Sequence, residues 1–418
     1  MLKLLKIIGP GIIAASAAIG TSHLIQSTRA GGYFGMELLW LVIITNILKY
    51  PFIEHGFRYT AGSGENMLHG YHKLNPKLLL IFILTNIAVS FGAIAAVSFI
   101  CASIIKSAFG VDLDVKILSL ITIAICYLII AIGHYKYLDK IMKAFMTLLL
   151  FSTLLAFMIA LIKSDAATTS QSFYTDSAWN LQYIPFIIAL MGWMPGPIEL
   201  SVWHSLWLEA RNKNQKTSLS FKESAIDFNI GYGLMIITAI LFLSLGGLIL
   251  HNSGQELSSN GVSFTSQFIS IYTETIGSWS KPIILIAVTA AIFSTTLAVI
   301  DIYPRTISEG ITILKQDKFN LKNWRKIRLI TMLICCLLAS LAIIFLVENF
   351  QILIDTVTII AFLSAPLFAY LNYKLVNSNL LDKKYHPPKW IKTLSHIGFI
   401  YLVSFSIIFI IYKLNLLR

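Results

Sequence analysis

Charge is scarce in this chain: Asp, Glu, Lys and Arg make up 12% of its 418 residues, about half the share of an ordinary soluble domain. Too little polar surface remains to wrap one water-exposed core, so a soluble globular protein is excluded. Acidic residues are the scarcer kind, 20 against 32 basic, for a formal net charge of +12. Such an excess would suit nucleic acid only if it were clustered on a polar face. Here it lies in short connectors between apolar runs, so nucleic acid is set aside as a partner. Cysteine is rare too: Cys101, Cys126, Cys335 and Cys336 all sit inside apolar runs, where a small buried hydrophobe is the ordinary role. No disulfide framework follows, and the redox compartment stays open.

What the chain has in plenty is hydrocarbon, with 56% of its residues hydrophobic, the composition of an integral membrane protein. Lys3, Lys6, an apolar run and the trio Ala15-Ser16-Ala17 imitate a secretory signal peptide. Gly9-Pro10-Gly11 splits that run early and apolar segments continue along the whole chain, so residues 1–30 are expected to stay in the mature protein. A helix needs about 20 mostly apolar residues to cross the hydrocarbon. Eleven stretches qualify: 8–30, 36–58, 78–105, 115–134, 140–163, 184–208, 225–250, 281–303, 328–347, 352–375 and 394–413. The larger polar connectors, 164–181 and 251–280, hold neither a phosphate-cradling glycine loop nor a catalytic signature.

With the N-terminus placed in the cytoplasm, 24 Lys and Arg fall in inside segments and 7 in outside ones, while Lys49 lies within a span. That bias follows the positive-inside rule. It supports eleven crossings, a cytoplasmic N-terminus and an outside C-terminus.

Two spans are interrupted at mid-membrane depth, where freed backbone is tolerated only if it lines a cavity or is buried in protein. Span one carries Gly20-Thr21-Ser22-His23 halfway along. Span six carries "MGWMPGPIELSVWHS" (191–205), where Pro195 and Pro197 each remove a helix hydrogen bond and Gly192 and Gly196 loosen the backbone. A lone proline in a membrane helix is usually a simple kink. Interruptions in the leading helices of two five-helix sets, 1–5 and 6–10, instead point to a transporter site at an inverted-repeat interface.

The same residues resemble the NRAMP (natural resistance-associated macrophage protein) family of divalent-metal transporters. That family opens with Gly-Pro-Gly, continues to Asp-Pro-Gly-Asn, and reaches Phe-Gly and Leu-Leu-Trp. This chain has Gly9-Pro10-Gly11 and, without a gap, Gly31, Phe34-Gly35 and Leu38-Leu39-Trp40. Arg58-Tyr59-Thr60-Ala61-Gly62 is similar to the family's Arg…Thr-Gly turn, Met194-Pro195 to its Met-Pro-His and His204-Ser205 to its His-Ser. The departures fall on the chemistry. On this register the metal-binding Asp becomes Gly20, and Pro, Gly and Asn become Thr21, Ser22 and His23; the histidine of Met-Pro-His becomes Gly196. Span three has no carboxylate before Lys106, so an acidic group of the family's proton pathway is missing as well. The resemblance implies an all-α, leucine-transporter-like fold: one transport domain over 1–418, with repeat one at 8–163, repeat two at 184–375 and an additional helix at 394–413.

Softer first-row metals accept imidazole and thioether, while harder cations want oxygen. His23, Met194 and Glu199 could supply imidazole, sulfur and carboxylate as metal ligands, with the carbonyls of Gly20 and of Leu190 or Met191 completing a shell. An intramembrane carboxylate such as Glu199 is a functional candidate by default. Its plainer role is a buried pair with His204 or His23; for His23 it is a hydrogen-bonded packing histidine, and for Met194 core packing. A second chemistry fits the same break: a half-helix starting near Thr21 and Ser22 aims amide donors at the cavity, which suits the anionic group of a small organic solute, while Glu199 receives its amine. Glu54, His55 and Arg58 could form a gate or a solvated helix end. Asp227, Asp301 and Asp355 read as caps or partners of nearby bases. An enzyme is set aside, because the nine histidines include no His-Glu-x-x-His, and so is a channel, for want of filter sequences. The expectation is a cofactor-free secondary transporter, working as a monomer in a bacterial inner or plasma membrane. Its cargo is a divalent metal or, as the alternative, an organic solute, with weak or absent proton coupling.

Overall fold

The computed structural model describes residues 7–20, 22–132, 135–164, 177–215, 217–251, 258, 261–315, 321–346 and 350–416. Among these residues the regular structure is all helical. Span one is divided into α1 (Pro10–Ala18), a wide π-helical segment (Ser22–Ser27) and α2 (Thr28–Phe34). Span two is α3 (Leu39–Ser63), followed by the short α4 (Met67–Leu74), whose first amides are capped by the Asn66 side chain. Then come α5 (Pro76–Phe109), α6 (Val115–Ile132) and α7 (Tyr135–Ser164). Span six is α8 (Ile184–Trp193) and α9 (Leu200–Gln215), separated by an extended segment. The rest are α10 (Phe221–Leu245), α11 (Gly261–Ile276), α12 (Lys281–Leu314), α13 (Leu321–Leu346), α14 (Phe350–Val376) and α15 (Lys389–Leu416).

Each of the apolar stretches contains helix among its described residues, with breaks at 19–20 and 194–199. Eight of the helices are long and apolar enough to cross a membrane by length and composition. The three stretches that fall short are the two broken ones and α3, which carries Lys49, Glu54 and Arg58. One expectation needs correcting: the 251–280 connector contains the helix α11. Its apolar positions recur at helical spacing, and Thr265, Phe268 and Ile269 are buried where it packs on α5 and α7.

Peripheral helices present apolar stripes outward. Ile117, Ile121, Ile125, Leu128 and Ile132 are exposed along α6, and Ile330, Ile334, Leu337 and Leu341 along α13. Helical spacing puts each set on one face, which water would penalise and lipid tails match. The interior is built around α5 and α12, packed closely on each other and on α13, with α5 also against α14. The broken helices lie inside this frame: α1 rests on α10, α8 on α14 and α9 on α3.

Glycines set the closest of these approaches. A Cβ on Gly11 would fall 2.1 Å from the Asp227 carbonyl oxygen, and one on Gly231 would fall 2.2 Å from the Gly11 oxygen. Span one and α10 therefore touch backbone to backbone, as small residues allow in membranes.

Candidate functional site

The two interruptions face a common cavity. Ala17, Ala18 and Ser22 line it from span one; Trp193, Gly196, Pro197 and Trp203 from span six; Ala93 and Val97 from α5; and Thr295, Val299 and Tyr303 from α12. A Cβ on Gly196 would stand 3.7 Å from the Ala18 Cβ, so the breaks nearly touch. The cavity measures about 30 Å³, room for one or two waters. Trp203 and Tyr303 meet edge to face with centroids 5.2 Å apart, making one wall aromatic.

In span one the chain widens rather than fully unwinding. The Gly20 carbonyl accepts the Leu24 amide at 3.0 Å and so is already engaged. Ala18 is the carbonyl taken up by side chains: the Ser22 hydroxyl donates to it at 2.5 Å, and His23 Nδ1 lies 3.1 Å away. His23 Nε2 is 3.0 Å from the Met235 carbonyl of α10, an acceptor that places a proton on Nε2. Nδ1 also lies 2.6 Å from Ser22 Oγ. Thr21 lies outside the described residues. Gly20 is close-packed, since a Cβ there would come within 2.4 Å of the Thr295 hydroxyl, itself donating to the Ser16 carbonyl at 2.7 Å.

In span six the prolines act as the sequence predicts. Pro195 has no N–H to return to Met191, four residues back, and the chain turns extended at Met194. The freed carbonyls are not empty-handed. Lys49 Nζ, from α3, donates to Met191 O at 2.7 Å, Gly192 O at 2.9 Å and Gly196 O at 3.2 Å. Glu199 stands immediately before the first turn of α9, where a helix amino end favours negative charge. It is only 4% exposed, its Oε2 has no hydrogen-bond partner, and Lys49 is within electrostatic range. Leu190, Met191 and Met194 are fully buried, and neither they nor His23 and Glu199 are among the residues that line the cavity. Among the described residues, no three or more His, Cys, Asp or Glu side chains come together as a metal cluster.

The other acidic residues are structural partners. Asp227 accepts the amides of Gly9 at 2.7 Å and Gly11 at 2.8 Å, capping span one, and lies 3.4 Å from His204 Nε2. Asp301 is held by Arg305, Arg328 and Trp207. Glu54, 1% exposed, accepts Arg58 Nε at 2.9 Å, so this end of α3 is buried rather than solvated. Arg29, 6% exposed, bonds Gln26 at 3.1 Å, lies 3.8 Å from Asp355 and stacks over Phe186.

Sequence reasoning places Lys49 within a span and goes no further, and it does not single out the aromatic wall. A lysine in the run "VIITNILKYPFI" is itself a signal, because a membrane-buried ammonium requires partners. Nothing in the sequence says that those partners are carbonyls of span six.

Two helices interrupted beside one cavity and framed by lipid-facing helices are the arrangement of a leucine-transporter-like membrane fold. A family model described as natural resistance-associated macrophage protein-like matches residues 11–412, and the chain belongs to that family. It is 37% identical over 405 residues to the uncharacterized protein PM0681 of Pasteurella multocida, covering 96% of this chain and 91% of that one. It is 21% identical to the divalent metal cation transporter MntH of Staphylococcus aureus (strain Mu3) over 263 residues, 61% of this chain and 57% of that protein. The fold superimposes on a crystal structure of a mutant Eremococcus coleocola manganese transporter with a TM-score of 0.71 at 15% identity, covering 97% of this chain and 86% of the other.

Proposed function

We propose that the protein is a secondary transporter that moves a divalent metal cation by alternating access, through a site unlike the family's usual one. The observation that carries this reading is Glu199: a buried carboxylate with an unpartnered oxygen, set at the break in span six, whose Gly196 and Pro197 line the cavity. Membership of the family and the likeness to proteins named as divalent metal or manganese transporters support the cargo. In this reading Glu199, Met194 and His23 are the metal ligands, and Gly20, Thr21, Ser22, Leu190 and Met191 complete the proposed substrate-binding set. His23 joins only by giving up its contact with Ser22, and Met191 offers its carbonyl only when Lys49 leaves it. The chain acts as a monomer in a bacterial plasma membrane, N-terminus inside and C-terminus outside. The domain is a single unit built of repeats 8–163 and 184–375 with an added helix at 394–413.

A second reading, transport of a small organic solute, is favoured by two observations. Trp193, Trp203 and Tyr303 give the cavity an aromatic wall, and the span-six carbonyls are already occupied by an ammonium. Uptake of manganese, magnesium and a panel of amino acids into proteoliposomes separates the two. Metal uptake that falls at least about tenfold in Glu199→Ala, the loss of roughly 1.4 kcal/mol of binding, and also falls in His23→Ala supports the first. Metal flux unchanged in both variants removes the ligand assignment. Flux of an organic solute without metal flux establishes the second reading.

A further inference from the structure

Lys49 is fully buried in the middle of α3, where an unpartnered ammonium would be prohibitively costly. An ammonium has three donors and no acceptor. The structure supplies three acceptors, the carbonyls of Met191, Gly192 and Gly196, between 2.7 and 3.2 Å from Nζ. None of the three comes from α3 itself. All belong to the span-six break, and Pro195 has removed the helical donor from Met191. Backbone carbonyls converging on one point, with a carboxylate in electrostatic range, are the surroundings of a small bound cation.

We infer that the span-six break is a monovalent-cation site that the chain fills with its own side chain: the Lys49 ammonium is a tethered cation holding the three carbonyls together, with Glu199 as its counter-charge. Because the cation is covalently attached, the break keeps its shape without drawing an ion from solution. Gly196 belongs to both the carbonyl set and the cavity wall, so the tether also fixes one face of the cavity. The inference concerns the cargo-free protein, and its test does not depend on flux.

The test is the thermal stability of purified Lys49→Ala beside the natural protein, in choline, sodium, potassium, ammonium or methylammonium chloride at equal concentration. The natural protein is expected to melt at one temperature in all five. Lys49→Ala is expected to melt lower in choline and to regain most of the loss, saturably, in ammonium or methylammonium, whose N–H groups reach the emptied carbonyls. Equal melting of the variant in all five salts overturns the inference. If Lys49→Ala folds in none of them, Lys49→Gln, uncharged and with two donors, takes its place under the same criteria. Failure of both variants in methylammonium as well as in choline also counts against it. The double variant Lys49→Met/Glu199→Gln is expected to melt above Lys49→Met, because the stranded carboxylate is gone. A double variant that melts at or below the single one rejects Glu199 as the counter-charge.

Discussion

At position 20 a single missing side chain decides what span one can hold. Gly20 lies against Thr295, whose hydroxyl is occupied by the Ser16 carbonyl, and Ser294 bonds Ser16 Oγ at 2.9 Å. Even a methyl group there must push Thr295 off its partner. Overpacking of this kind costs about 1–3 kcal/mol, so Gly20→Ala is expected to lower the melting temperature, and Thr295→Ser in the same chain to recover part of the loss by removing the methyl in the way. Equal stability of Gly20→Ala and the natural protein would show the contact to be slack. The site's residues were unevenly legible. Glu199 and the paired prolines stand out because a carboxylate and helix breakers in an apolar run have few ordinary explanations. The engagement of His23 with Ser22, Ala18 and Met235 was not legible, since it depends on how the chain widens after Ile19 and on which turn of α10 comes to rest beside it.

Among the elements, α1 and α10 touch backbone to backbone. Gly11 and Gly231 allow backbone contact, and Asp227 of α10 caps the amino end of span one through the amides of Gly9 and Gly11. The carboxylate matches two donors and the positive end of a helix dipole at once. Asp227→Asn keeps one acceptor and turns an NH2 group toward the second amide. One buried N–H is left without a partner, at a cost of about 1–3 kcal/mol. The expected result is a lower melting temperature with the fold intact, checked by thermal unfolding and circular dichroism, while an unchanged transition would place the stability of this junction in the glycine contacts alone. The eight long apolar helices were legible because each carries its own run of hydrocarbon. The pairing of α1 with α10 was not: Gly-Pro-Gly announces an irregular start, but its cap lies more than two hundred residues away on a helix whose sequence shows only an isolated Asp.

Among the described residues, several acidic side chains are tied into closed groups. Asp301 is tied to Arg305 and Arg328, Glu54 to Arg58, Asp355 to Arg29 and Gln26, and Asp227 to backbone amides. Each of these carboxylates already has an ion-pair or hydrogen-bond partner. A proton route needs groups that gain and lose protons as the cavity opens to each side, and α5, one wall of the cavity, contains no Asp, Glu or His from Pro76 to Phe109. Glu199 is the buried carboxylate near the cavity with an oxygen left over, and in the proposed function it serves the cargo. Transport is therefore expected to run with weak or no proton movement. In proteoliposomes carrying a pH dye, cargo uptake driven by its own gradient should leave the internal pH nearly constant, and an imposed pH gradient alone should not concentrate cargo. Acidification in fixed proportion to uptake would contradict this. If that proportion then vanished in Glu199→Gln while cargo still entered, the unpartnered carboxylate would be the proton carrier rather than the cargo's ligand.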